Sequence, residues 1–266
     1  MEVLHALGDA MTGENALKLW LGLFLASLLV AGVVSGFFKA RKIQPKGFRW
    51  KIFGLEALVA LGTVLIAGPI IGFSQNWLMQ HGYITFDDGP ASWWVIALEF
   101  AVYFIGFDTY FYWLHRWMHK EPVYRWVHKL HHYSTSPNLL TTLSVNPLES
   151  LINGGFVPLF VTLYSVHPET MALIGPTNIL MGLYVHSGYE FLPRWWNRSW
   201  ATKWFISATF HDQHHKYFTA NFGGYTTIWD RICGTIRPKF EDDFTSPKVR
   251  QRAKPVAEQP IEPRPA

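Results

Sequence analysis

Histidine carries most of the chemistry open to this 266-residue chain, which has 12 of them. Eight fall into three clusters: His115 and His119; His128, His131 and His132; and His211, His214 and His215. Residues three and four apart share one face of a helix, so each cluster presents its imidazoles together. Neutral imidazole is a metal ligand. Catalytic zinc commonly takes about three protein ligands and structural zinc about four, so eight imidazoles exceed the needs of one ion and suit two. The spacing points to a dinuclear metal centre. A basic, pH-sensitive surface is the competing reading, but crowded imidazoles without a cation repel once they protonate. His5, His81 and His167 lack metal-type spacing and are read as ordinary side chains. The single Cys233 excludes an intrachain disulfide framework and a thiolate metal cluster.

The elements that position these side chains lie in a membrane. Hydrophobic residues make up 49% of the chain and aromatic residues 17%, while charged residues make up 16%, against about a quarter in soluble domains. The uncharged stretch 19–38 is long enough for a first crossing, and the acidic start before it (Glu2, Asp9, Glu14) is unlike a cleaved signal peptide. Residues 57–78 and 92–114 read as a second and a third crossing. Between the first two lie Lys39, Arg41, Lys42, Lys46, Arg49 and Lys51 with no acidic residue, which places this loop in the cytoplasm and the N-terminus outside. Segments 151–166 and 170–189, joined by His167-Pro168-Glu169, read as a helical hairpin, since the first reaches only about 24 Å as a helix. Residues 191–205 place Trp196, Trp200 and Trp204 every fourth position among basic residues, as an amphipathic helix at the headgroups does. The fold expected is all-α: an integral membrane helical bundle of three full spans plus a hairpin, with the histidine clusters as a cytoplasmic-side cap. Its parts are N-terminal transmembrane helices and loops over 1–90, a histidine-box catalytic domain over 91–240 and a disordered tail over 241–266.

Asp108 lies seven residues before His115, about two turns away on nearly the same stripe, inside an apolar span where a bare carboxylate is costly. It is expected to orient an imidazole or to line a substrate path, against the alternative of a snorkelling or paired structural acid. Asp212, inside the third cluster, is a weaker candidate for orienting an imidazole, and Asp230 is either another or a turn cap. Glu56 and Glu99, near segment ends, are expected at the interface.

His115-x-x-x-His119, His128-x-x-His131-His132 and His211-x-x-His214-His215, followed by Asn221-Phe222-Gly223 and Trp229-Asp230-Arg231, resemble the fatty acid hydroxylase/sterol desaturase superfamily over residues 106–238. The resemblance implies an integral membrane oxidoreductase that uses two irons and O2 to hydroxylate or desaturate a lipid that is sterol-like, isoprenoid or fatty-acyl. It carries over the eight clustered histidines as iron ligands, and His186 in His-Ser-Gly-Tyr as a ninth. Two positions depart from the pattern. Asn146 stands where many members have histidine, and it can ligate through its carbonyl, act through water or make no metal contact. Glu190 stands where some members have a second histidine, and it can ligate, orient an imidazole or pair with Arg194.

No G-x-G-x-x-G fingerprint, P-loop or cysteine set for an iron–sulfur cluster is present. Electrons from NAD(P)H are therefore expected through a separate cytochrome-type or ferredoxin carrier, docked near Lys120, Arg125, Lys129 and Lys216. A net charge of only +4 without a dense basic run gives no nucleic-acid signature. Two competing readings are a zinc-dependent membrane hydrolase and a non-enzymatic metal-binding membrane protein; the first lacks H-E-x-x-H, and the second predicts ligands at the bilayer midplane. The C-terminal residues match no ER-retrieval signal, which favours a bacterial inner membrane over the endoplasmic reticulum.

Overall fold

The structure is a computed structural model that describes residues 41–44, 50–245 and scattered positions between 6 and 37. The first expected crossing, 19–38, lies largely outside the described residues, as does 246–266.

Two long helices dominate. Helix α1 (Trp50–Gln80) has 31 residues and α2 (Trp93–Met118) has 26, and both are long and apolar enough to cross a membrane. Leu58, Leu65 and Phe73 on α1, and Leu98 and Ile105 on α2, face outward uncovered; hydrocarbon suits such a surface and water does not. Pro69 inside α1 fits a membrane helix, where neighbouring groups take up the freed carbonyl. Helix α2 begins at the Ser92 cap and runs past the expected end at 114, so His115 sits in its last turn and His119 caps it.

The hairpin is broken more often than its composition indicates. Helices α3 (Pro147–Gly154) and α4 (Phe156–Leu163) meet at Gly155, and α5 (Pro168–His186) returns. Helix α3 packs against α1, and α5 packs against α2. An aromatic core of Tyr103, Phe156 and Phe160 with Val166, Met171 and Ile174 fills the space between α2 and the hairpin. Three more helices follow: α6 (Ala208–Tyr217), α7 (Ile228–Ile232) and α8 (Phe240–Thr245). No strand occurs among the described residues, only isolated bridges such as Phe205 to Thr226.

Several expectations are corrected. Residues 191–205 form a chain of tight turns, for example Trp196 N–H to Pro193 O at 3.0 Å, rather than an amphipathic helix. Pro193 and the short polar Asn197, Ser199 and Thr202 favour turns over helix, although Trp195 and Trp200 still face outward. Residues 241–245, expected within the tail, belong to α8, which buries Phe240 and Phe244 against Phe210 and Val185. Glu56 and Glu99 are buried rather than interfacial. Glu56 accepts from Ser134, Asn138 and the Thr141 hydroxyl, tying α1 to the loop after the second cluster. Glu99 accepts from the His167 backbone N–H at 3.1 Å and its Nδ1 at 2.8 Å, closing the opposite end of the bundle.

Candidate metal centre

The second histidine cluster is not on an α-helix. A π-helical turn (Tyr124–His128) is followed by a 3-10 turn (His131–Tyr133). The third lies on α6, whose N-cap Ser207 accepts from the Phe210 N–H at 3.2 Å. These elements bring nine imidazoles together in two groups. His115, His119, His128, His132 and His214 form one, and His131, His186, His211 and His215 form the other. Each i, i+4 pair stays in one group, while His131 and His214 cross to the group opposite that of their own cluster's pair.

Within the first group the Nε2 atoms of His128 and His132 lie 3.0 Å apart, those of His115 and His128 3.1 Å, and those of His119 and His132 3.2 Å. His214 Nε2 is 3.1 Å from both His119 and His132. In the second group, His211 Nε2 is 2.9 Å from His186 and 3.1 Å from His215.

The other ring nitrogen shows what these clusters need. Nδ1–H of His115 donates to Phe222 O at 2.8 Å, that of His214 to Ala220 O at 2.8 Å, that of His215 to Ser134 O at 3.0 Å and that of His186 to Gly182 O at 2.8 Å. A carbonyl only accepts, so the proton of each ring is fixed on Nδ1 and its Nε2 is a bare lone pair. Lone pairs aimed at one another repel unless a cation sits among them. Two nitrogens each about 2.1 Å from one ion lie about 3.0 Å apart at a right angle, which is the separation found in both groups. The donor set fits two metal ions.

Burial holds the imidazoles in the neutral form that binds metal. It pushes His128 down to about 3 and His131 down to about 4. His132, His211, His214 and His215 are driven well below the usual histidine range by burial and then by neighbouring imidazoles. Aromatic rings wall the first group: Phe222 packs edge-on to His115, His119 and His214, and Phe218 edge-on to His132 at 4.6 Å.

The fatty acid hydroxylase family profile matches residues 100–235, half of the chain, and this span contains all nine histidines. The chain belongs to the fatty acid hydroxylase family. Methylsterol monooxygenase erg25A of Aspergillus fumigatus is 33% identical over 153 residues, 53% of this chain and 47% of that protein. Cholesterol 25-hydroxylase of Homo sapiens is 38% identical over 132 residues, 49% of this chain and 48% of that protein. The chain therefore spans about half the length of these two relatives. Methylsterol monooxygenase 1 of Danio rerio is 34% identical over 206 residues, 75% of this chain and 68% of that protein. No solved structure matches the chain.

Within this family framework, Asp108, Asn146 and Glu190 hold backbone groups. Asp108 is buried but binds no imidazole in its observed contacts: it accepts from the Tyr225 and Thr226 N–H groups, both at 2.8 Å, and from the Thr226 hydroxyl. It holds the loop after the third box against α2 and lines a cavity of about 290 Å³ with Phe104, Trp204 and Trp229. Asn146 caps α3 through the Leu148 N–H at 2.9 Å and donates to Trp126 O at 3.0 Å, so its oxygen is committed to backbone. Glu190 accepts from the Thr209 N–H at 3.0 Å and the Leu192 N–H at 3.2 Å, fixing the start of α6. Asp212 accepts from Gln44 at 3.1 Å.

Two carboxylates take the orienting role. Glu149 Oε1 lies 2.8 Å from His128 Nδ1, and both side chains are buried. The signal was available: Glu149 stands three residues after Asn146, one helical turn further along the motif. Asp230 acts through the backbone, accepting from the Phe222 N–H at 2.9 Å, the Gly223 N–H at 2.7 Å and the Thr235 hydroxyl at 2.7 Å. Burial raises its carboxyl to about 6. The peptide it grips carries the carbonyl that holds His115. Only glycine fits at 223, because a Cβ there would meet Thr226 O at 2.2 Å.

Proposed function

We propose that this chain is a membrane di-iron oxygenase that uses O2 and two externally supplied electrons to hydroxylate or desaturate a lipid of the sterol class. The observation that carries the proposal is the pair of imidazole groups in which carbonyls hold the Nδ1 protons of His115, His214, His186 and His215, and Glu149 that of His128, while Nε2 atoms face one another at 2.9–3.2 Å. His115, His119, His128, His132 and His214 would hold one iron, and His131, His186, His211 and His215 the other. When bound, the irons supply the redox chemistry that an unactivated C–H bond demands and side chains lack. The sterol class follows from the names of the relatives, two methylsterol monooxygenases and a cholesterol hydroxylase. A zinc hydrolase uses about three protein ligands and one open position, which nine imidazoles exceed.

The chain's own residues orient and enclose. Glu149 and the carbonyls of Phe222, Ala220, Ser134 and Gly182 fix the ring planes, and Phe218 and Phe222 keep water from the first group. A cytoplasmic site is supported by the position of the described start of the basic segment 39–51. Its residues Arg41–Gln44 pack at the histidine end, where Ile43 N–H donates to Gly188 O at 2.9 Å and Gln44 reaches Asp212.

The test is metal content per chain after anaerobic purification in detergent, followed by lipid oxidation with O2 and a chemical reductant. About two irons, with sterol oxidation dependent on them, is the expected result. Iron-reconstituted protein that binds no metal, or iron-loaded protein inert toward every lipid class, refutes the proposal.

A further inference from the structure

Resting on the reading above, the chain must take electrons from another protein, and the structure indicates where. Eight of the nine imidazoles are buried; His119 is the ninth and is only half-buried. Tyr124 lies on that ring, with centroids 5.6 Å apart and planes 28° from parallel. The same tyrosine stands edge-on to His128 at 6.5 Å and at 6.1 Å from His132. Tyr124 is itself half-buried, so its ring runs from the five-imidazole group toward the surface.

The surface around it is basic and aromatic. Lys120, Arg125 and Lys129 are exposed, as is Trp126 at 73%. One carboxylate stands among them, Glu121, 3.9 Å from Arg125; both are largely exposed, so solvent screens the pair and the patch keeps its positive sign. Arg125, Trp126 and Lys129 belong to the same short turn that supplies Tyr124 and His128, so a partner resting on them contacts the segment that carries those two rings.

We propose that this face docks an acidic one-electron carrier protein and that the ring of Tyr124 is the path by which its electrons reach the five-histidine group. Hydroxylation consumes RH, O2, two electrons and two protons and yields ROH and H2O. The carrier is thus oxidised twice per turnover, and the protons come from solvent. Positive charge steers an acidic carrier to the face, and the stacked ring removes the gap between the docked carrier and His119.

The experiment uses the full iron-loaded chain in nanodiscs. Two probes are added, the soluble haem domain of an acidic b-type cytochrome and a [2Fe–2S] ferredoxin. Carrier Kd and the rate of carrier-driven iron reduction are measured, with dithionite reduction as a control that bypasses docking. For at least one probe, the K120E/R125E/K129E variant should weaken Kd by about tenfold or more at low salt, with the difference shrinking at high salt. Tyr124→Leu should leave Kd unchanged and lose most of the carrier-driven rate, while Tyr124→Phe, which keeps the ring, should retain it. All variants should keep their iron and the dithionite rate.

Failure of both carriers to bind, charge reversal without effect on Kd, or Tyr124→Leu reducing as fast as the parent each overturns the proposal. So does Tyr124→Phe losing as much rate as Tyr124→Leu with iron intact. Binding of anionic vesicles, abolished by the same reversal while neither carrier binds, would assign the face to lipid headgroups instead. Absence of iron from the parent counts against the di-iron reading, whereas loss of docking with iron present counts only against this one.

Discussion

Replacing Glu149 by glutamine should move the metal-free and metal-loaded proteins in opposite directions. Glu149 Oε1 holds His128 Nδ1 at 2.8 Å, and its second oxygen is buried without a hydrogen-bond partner. Without a cation, a buried carboxylate half-satisfied in this way costs stability, and an unpaired buried polar atom costs about 1–3 kcal/mol. With a cation among the Nε2 atoms, the same carboxylate strengthens His128 as a donor and offsets charge that neutral imidazoles leave uncompensated. Losing such an orienting group typically lowers metal affinity by about 10–100-fold, which is about 1.4–2.7 kcal/mol.

Glu149→Gln keeps the shape and an acceptor oxygen and removes the charge. It should therefore unfold at a higher temperature than the parent after chelation and gain less stability than the parent when metal is restored. Because His128 belongs to the five-imidazole group, a graded chelator wash should leave the variant with about one ion per chain where the parent keeps about two. The assay is thermal unfolding in detergent beside elemental analysis of the same samples. A variant that is less stable without metal, or that loses both ions in step, refutes the orienting role.

His131→Ala removes a member of the four-imidazole group only, so elemental analysis should find about one iron remaining; loss of both would show that the groups do not bind independently. Gly223→Ala drives a Cβ onto Thr226 O and should cost about 2–4 kcal/mol in thermal unfolding, together with metal from the first group, because His115 loses its carbonyl. Gly62→Ala, inside α1 with open space around the new methyl, should be neutral or stabilising by up to about 1 kcal/mol. Asp108→Ala strands the buried Tyr225 and Thr226 N–H donors and should destabilise by about 3–5 kcal/mol, whereas Asp108→Asn, which keeps an acceptor, should cost less by the same measurement.

What the sequence reveals about this site follows the reach of its periodicities. An i, i+4 pair on one turn must face one way, so His115 with His119, His128 with His132 and His211 with His215 are legible as ligand pairs, and each pair does stay within one group. His131 and His214 cross to the opposite group because packing of the second cluster's turns against α6 decides it: the rings of His131 and His215 come to 4.5 Å and those of His132 and His214 to 4.8 Å. No single-helix pattern encodes that contact. The same reasoning explains Asp108, whose stripe toward His115 is real, but whose loop partners arrive from 117 residues away. Adjacent His131 and His132, and adjacent His214 and His215, therefore contribute to both groups from one rigid turn each. A shift of either turn must disturb both imidazole groups together. That coupling explains why Glu56, Glu190 and Asp230 spend their buried carboxylates on pinning backbone and loops around the histidines rather than on the imidazoles.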